Sequence, residues 1–206
     1  PALKLSVEAF ESYLKKNFND YEPRYIGFTA TTPSVKNAYA MAQIAKKVYP
    51  GVKIVFGGVH PTVLPKEVIN QDEIDIVVKR EGEITFYEIL SGKELSDIDG
   101  IVYQKDNQIV FNKERQRIDN LDSLPFPAYD LLPMDKYYPA KGSYKKLPAM
   151  SMFTSRGCPG RCTFCNKTLG DRMVFRSADS LVGEIKLLIK DYGIKQIMFY
   201  DDTFTV

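Results

Sequence analysis

Apolar positions along the chain switch between a helical and an extended spacing. Val7, Phe10, Leu14 and Phe18 recur at three- and four-residue steps, which predicts a helix with one apolar stripe and Ser6 as its N-cap. Arg24-Tyr25-Ile26-Gly27-Phe28-Thr29 then reads as a short strand that runs into the hydroxyls of Thr29, Thr31 and Thr32. Pro33 and Ser34 open a second helix, with Val35, Ala38, Ala42, Ala45 and Tyr49 along one face, and small alanines there suit close packing on a sheet. Pro50-Gly51 ends it, Val52-Lys53-Ile54-Val55-Phe56 predicts a second strand, and a short helix over 65–71 leads to a third, Ile74-Asp75-Ile76-Val77-Val78. A helix over 85–90 follows. Strands and helices alternating through short loops imply right-handed crossovers and a parallel sheet with helices on its faces.

Beyond residue 95 the pattern changes. Residues 101–105 and 108–112 flank Asp106-Asn107, the signature of a two-residue β-hairpin. Residues 121–133 are broken by prolines and cannot be a regular helix. Their apolar side chains (Phe126, Tyr129, Leu131, Leu132) predict an ordered, packed connector rather than a loose linker. Met150-Ser151-Met152-Phe153-Thr154 reads as a strand. Ser177 caps a helix with Leu181, Val182, Ile185, Leu188 and Ile189 on one face, Gly193 closes it, and 195–200 is again a strand. Strand, loop, helix, strand is one unit of a β/α barrel, whose functional residues gather at the carboxyl ends of the strands.

Composition narrows the function classes. A net charge of +2 arises from 28 basic and 26 acidic residues scattered along the chain, so no footprint for nucleic acid or an anionic membrane stands out. Lys141, Lys145 and Lys146 form the only small basic cluster, a solvated loop by its setting. No apolar run approaches the length of a membrane span and no leader opens the chain, which predicts a cytoplasmic protein. Pro1 in place of Met, and an end at Asp201-Asp202-Thr203-Phe204-Thr205-Val206, lead to the expectation of a fragment of a longer protein.

All 3 cysteines fall in Ser155-Arg156-Gly157-Cys158-Pro159-Gly160-Arg161-Cys162-Thr163-Phe164-Cys165-Asn166. Three thiolates on one short loop can converge on a metal centre, and three rather than four suggests a cluster with one site left open. A disulfide fits poorly, because the count is odd and no partner lies elsewhere. A structural zinc site would want a fourth ligand, and the single histidine, His60, lies far upstream. Cys-x3-Cys-x2-Cys with an aromatic before the last cysteine resembles the signature of the radical S-adenosylmethionine (SAM) enzymes. That resemblance implies that Cys158, Cys162 and Cys165 hold three irons of a [4Fe-4S] cluster. SAM would chelate the fourth iron, and an electron donor such as flavodoxin or ferredoxin would feed the cluster. It further implies that Phe164 lies beside adenine and that Asp201, Asp202 and Thr203, at the end of the next strand, meet the SAM amino group. On the residues alone, Phe164 could equally pack in the fold, and Asp201 and Asp202 could cap a following helix.

The ends of the first three strands carry chemistry of their own: Thr29, Thr31 and Thr32, then Gly57-Gly58 with His60, then Glu81-Gly82-Glu83. Ligands of parallel sheets bind at such ends. Each feature alone is ordinary turn or loop chemistry. Their order, Gly-Phe-Thr-Ala-Thr-Thr, Phe-Gly-Gly-Val-His-Pro-Thr, Arg-Glu-Gly-Glu, is similar to the cobalamin-binding domains fused ahead of many radical SAM enzymes. The likeness implies that Thr29, Thr31, Thr32, Gly57, Gly58, His60, Glu81 and Gly82 line a cobalamin site, glycine letting the macrocycle reach the backbone. The Asp-x-His-x-x-Gly loop that supplies a lower axial histidine in many such domains is absent. It would precede residue 1, and many radical SAM relatives lack that histidine.

These readings combine into an α/β protein. Residues 1–95 would form a truncated Rossmann-like, cobalamin-binding type of doubly wound parallel sheet, 96–147 a connector with the hairpin and the proline-rich segment, and 148–206 the first units of a radical SAM β/α partial barrel. The expected activity is methyl transfer to an unactivated carbon or phosphorus of a small-molecule or peptide substrate. Two rivals are a radical SAM catalyst of another outcome (cyclisation, rearrangement, methylthiolation) and a non-enzymatic binding module with a zinc knot.

Overall fold

A computed structural model of the chain describes residues 7–18 and 23–205, so the Ser6 cap lies outside the described residues, as does most of the turn before the first strand. The chain forms two compact units that divide between Arg117 and Ile118. In the first, helix α1 (Val7–Phe18) precedes β1 (Tyr25–Thr29), α2 (Val35–Val48), β2 (Lys53–Gly57), α3 (Val59–Val63), α4 (Pro65–Ile69), β3 (Ile76–Val78), α5 (Glu83–Leu90), β4 (Ile101–Lys105) and β5 (Gln108–Phe111). The five strands make one sheet in the order β1-β2-β3-β4-β5. The first three run parallel, and β4 and β5 are antiparallel to their neighbours.

Alternation along the strands divides the core in two. Ile54, Phe56, Val77 and Val102 pack with Val35, Ala38, Ala42 and Ala45 of α2, Val68 and Ile69 of α4, and Leu14 of α1. Val55, Ile76, Val78, Ile101 and Tyr103 pack on the other face with Ile89 of α5. Helices therefore cover both faces, and the sheet is of the doubly wound α/β kind. The C-terminal end of α1 is satisfied from α2's side, where the Tyr49 hydroxyl donates to the carbonyls of Leu14 (3.3 Å) and Phe18 (3.1 Å).

The hairpin lies elsewhere than the sequence pattern suggested. Its turn is as expected, with positive φ at both Asp106 (50°) and Asn107 (60°), the geometry that suits a two-residue hairpin. Yet β4 pairs with β3, so the hairpin extends the first sheet instead of belonging to a connector, and the first unit runs on to Arg117. Consecutive burial of Ile101, Val102 and Tyr103 is the physical reason: a strand with neighbours on both edges and a core on both faces has no solvent side.

Asp75 holds the start of β3 to β2. Its Oδ2 accepts from the Ile54 N–H (2.8 Å) and Lys46 Nζ (2.8 Å), and its Oδ1 from Lys53 Nζ (2.9 Å). Burial pushes the carboxyl up, but Lys46, the Ile54 N–H and Lys53 together outweigh it and hold the group below its ordinary value. A folded-state pKa below the unfolded one contributes stability that is present at neutral pH and lost as pH falls through the folded value. Asp75→Asn is expected to cost about 1–3 kcal/mol at neutral pH. Urea unfolding of both proteins, repeated at acid pH, should see that difference shrink.

In the second unit, β6 (Ala149–Met152) and β9 (Gln196–Phe199) pair in parallel, joined through the cysteine loop and α6 (Ala178–Tyr192). This is one β-α-β unit. Ser177 caps α6 by accepting from the Ser180 N–H (3.1 Å), and Gly193, at φ +63°, closes it. Two short strands absent from the sequence reading, β7 (Ser155–Arg156) and β8 (Val174–Phe175), pair antiparallel and pinch the base of the cysteine loop. The proline-punctuated stretch forms two single turns, Leu121–Ser123 and Tyr129–Leu131, and a third, Met134–Lys136, follows it. Of the four apolar residues expected to pack there, Tyr129 is buried, whereas Leu131 is 79% exposed and Phe126 and Leu132 remain exposed in part. Among the described residues no helix is long and apolar enough to cross a membrane.

Candidate cofactor sites

The parallel strands of the first unit end at Thr29, Gly57 and Val78, and the loops that follow are bonded to one another. The Ala30 N–H donates to the Gly57 carbonyl (3.0 Å), and the His60 N–H to the Ala30 carbonyl (3.0 Å). Gly58 makes this approach possible. It sits at φ +97°, and a Cβ there would stand 2.7 Å from Thr29 Oγ1 and 3.0 Å from the Ala30 carbonyl oxygen. Thr62 links the third loop, its hydroxyl donating to the Gly58 carbonyl (2.8 Å) and accepting the Arg80 N–H (2.9 Å). Thr62 was not among the residues the sequence pointed to, and a hydroxyl four residues after Gly58 was the available signal.

Thr29, Thr31 and Thr32 are exposed, Gly57 and Gly58 half-exposed. Val59, Val63 and Leu64 add exposed apolar surface beside the glycines. Hydroxyls, bare backbone and apolar side chains in one strip fit a large amphipathic ring with amide arms. His60 belongs behind that strip. It is 2% exposed, with Nδ1 3.1 Å from Thr32 Oγ1 and Nε2 3.3 Å from Glu67 Oε1, so it braces the threonine loop and offers no open ring nitrogen. Glu81 is likewise buried, and Gly82 is the N-cap residue of α5.

In the second unit the three cysteines are free thiols, Cys158 half-buried, Cys162 and Cys165 exposed. Cys158 Sγ lies 3.1 Å from Thr203 Oγ1 and accepts the Gly160 N–H at 3.4 Å. The Thr203 hydroxyl and the Gly160 N–H draw its thiol below the ordinary value, against burial and the nearby Asp202 carboxylate. Among the described residues no three Cys, His, Asp or Glu side chains are gathered around one point. The donor set nevertheless fits an iron–sulfur cluster: three soft ligands within eight residues, one already held by donors that favour the thiolate. It suits a zinc knot less, since both nitrogens of the single histidine are engaged within the first unit.

Asp201 does something the sequence did not reveal. Its Oδ1 accepts from the Thr154 N–H (2.8 Å) and hydroxyl (2.9 Å) and from the Ser155 N–H (2.5 Å) and hydroxyl (2.8 Å). The end of β9 is thus locked to the entrance of the cysteine loop. Burial pushes the Asp201 carboxyl up, but these four donors prevail and keep it below its ordinary value. Its Oδ2 is buried without a hydrogen-bond partner. Asp202 is exposed beside it, and Phe164, 91% exposed, packs against nothing substantial in the fold.

A family model described as the B12 binding domain matches residues 3–90. The uncharacterized methyltransferase PH0819 of Pyrococcus horikoshii is 40% identical over 202 residues, covering 95% of this chain and 43% of that protein. Cytidylyl-2-hydroxyethylphosphonate methyltransferase of Streptomyces wedmorensis is 28% identical over 222 residues, 92% of this chain and 42% of its own length. The chain therefore spans less than half the length of these curated relatives. Among solved structures, the cobalamin-dependent S-adenosylmethionine radical enzyme OxsB with aqua-cobalamin and S-adenosylmethionine bound superposes with a TM-score of 0.75 at 21% identity, over 98% of this chain and 28% of that one. With a B12 binding domain match within the first unit and relatives aligned across both units, the chain resembles the radical SAM proteins that carry a B12-binding domain.

Proposed function

We propose that this chain is the cofactor-binding part of a cobalamin-dependent radical SAM methyltransferase acting on an unactivated carbon or phosphorus. The observation that carries the reading is the pairing, in one chain, of a B12-binding match over residues 3–90 with three free cysteines on the loop between β6 and α6. Thr29, Thr31, Thr32 and the Gly57-Gly58 backbone would receive cobalamin, with His60 and Thr62 holding their loops in place. Cys158, Cys162 and Cys165 would ligate a [4Fe-4S] cluster, the exposed Cys162 and Cys165 moving toward the anchored Cys158. When bound, the cluster supplies an electron to SAM and cobalamin supplies a transferable methyl group. For the SAM ammonium, Asp201 Oδ2 is the carboxylate oxygen still lacking a donor. An electron donor such as flavodoxin or ferredoxin, and a small-molecule or peptide substrate, complete the proposed reaction.

Anaerobic iron–sulfide reconstitution and cobalamin titration of the chain test this. The expected result is visible cluster absorption that Cys158→Ala abolishes, together with one cobalamin per chain. Cluster without cobalamin, repeated in the longer protein, would exclude methyl transfer and leave a radical SAM catalyst of another outcome. Tightly held zinc with no cluster would exclude both.

A further inference from the structure

Arg176 stands where the chain leaves the cysteine loop for α6. Its backbone N–H donates to the Thr154 carbonyl (2.9 Å), and its Nη1 reaches the Phe153 carbonyl (3.4 Å). Both bonds end on the residues that lead into the loop, so one residue joins its exit to its entrance. The rest of the guanidinium is held just as firmly. Nε and Nη2 donate to Ser180 Oγ (3.3 and 3.0 Å), Nη1 pairs with the Glu184 carboxylate, and the group lies over the Phe126 ring, 5.7 Å from its centroid. Glu184 is 2% exposed, and its other oxygen accepts the Tyr129 hydroxyl.

A carboxylate is costly to bury on a helix that aliphatic side chains could pack, and in some proteins such a pair fixes one geometry at the expense of stability. Here the geometry fixed is that of Arg176. We propose that Arg176 is a positioning residue for the cysteine loop, held in register by Glu184 and Tyr129. The proline-punctuated segment that carries Phe126 and Tyr129 is then a support of the metal-binding loop rather than a spacer. Its consequence for a cluster rests on the function proposed above; its consequence for the loop itself does not.

The test uses the whole chain with Arg176→Gln, Glu184→Gln and Tyr129→Phe. Without any cofactor, brief trypsin digestion followed by mass spectrometry reads cleavage after Arg161 and Lys167 in the loop against cleavage after Lys186 and Lys190 in α6. The loop sites are expected to be cut roughly tenfold faster in Glu184→Gln, which removes the carboxylate charge paired with Arg176, with α6 sites unaffected. Tyr129→Phe, which keeps the ion pair, should fall between. Equal acceleration at all four sites, or none at the loop sites, would overturn the proposal. Iron retained under chelator challenge after reconstitution should fall in the same order as the loop loosens. If the unsubstituted chain takes up no iron, the cluster reading fails while the digestion still decides the positioning role.

Discussion

Gly58→Ala is expected to destabilise the first unit strongly and to abolish the proposed cobalamin binding with it. The residue sits at φ +97°, where an L side chain is strained by about 1–3 kcal/mol. Its new Cβ would also press on Thr29 Oγ1 and on the Ala30 backbone, and forcing such an overlap costs a further ~1–3 kcal/mol. Thr29 can rotate away; the Ala30 carbonyl, which accepts the His60 N–H, cannot move without opening the loop junction. Urea midpoints measure the loss. Gly57→Ala is the informative partner, because the nearest atom to its Cβ would be the Val78 carbonyl oxygen at 3.9 Å and its φ is unremarkable. It should leave stability almost unchanged, so a fall in cobalamin affinity at position 57 would come from crowding the ligand. An unchanged affinity there would mean that the backbone at Gly57 is not approached.

Asp201→Ala is expected to have the largest effect in the second unit. It removes the acceptor of four hydrogen bonds, two of them from backbone N–H groups, and Ser155 is only 2% exposed. Each buried donor left without a partner costs about 1–3 kcal/mol. Asp201→Asn keeps one acceptor oxygen and should lose less. Acid should mimic the substitution: the carboxyl lies below its ordinary value in the fold, so its contribution is present at neutral pH and disappears as pH falls through the folded pKa. Thermal melting across acid and neutral pH checks both statements. If Asp201→Ala melts like the unsubstituted chain, the lock between β9 and the cysteine loop is not structural, and a role confined to SAM would remain.

The two halves of the chain differ in how far their chemistry was legible. Elements with strong periodicity formed where the pattern put them: the alanine face of α2, the Ser177 and Gly193 boundaries of α6, and the Asp106-Asn107 turn. Each depends on residues close in sequence. The hairpin's place in the first sheet was not legible, because strand pairing is chosen between distant segments and β4 satisfies β3 as readily as a connector would. His60 shows the same limit at the scale of one residue. A lone histidine after a Gly-Gly turn invites reading as a ligand, yet burial and its two partners make it a brace.

By itself, then, the sequence determined which groups are on offer, three closely spaced thiols and the hydroxyls and glycines at strand ends, since these depend on residue type and short separations. Only the tertiary structure decided what holds those groups in place. Asp201 against Thr154 and Ser155, Arg176 against Phe153, and Gly58 against Ala30 are contacts between segments about 20 to 50 residues apart, and no local pattern encodes which distant partner a charged or bare position will find.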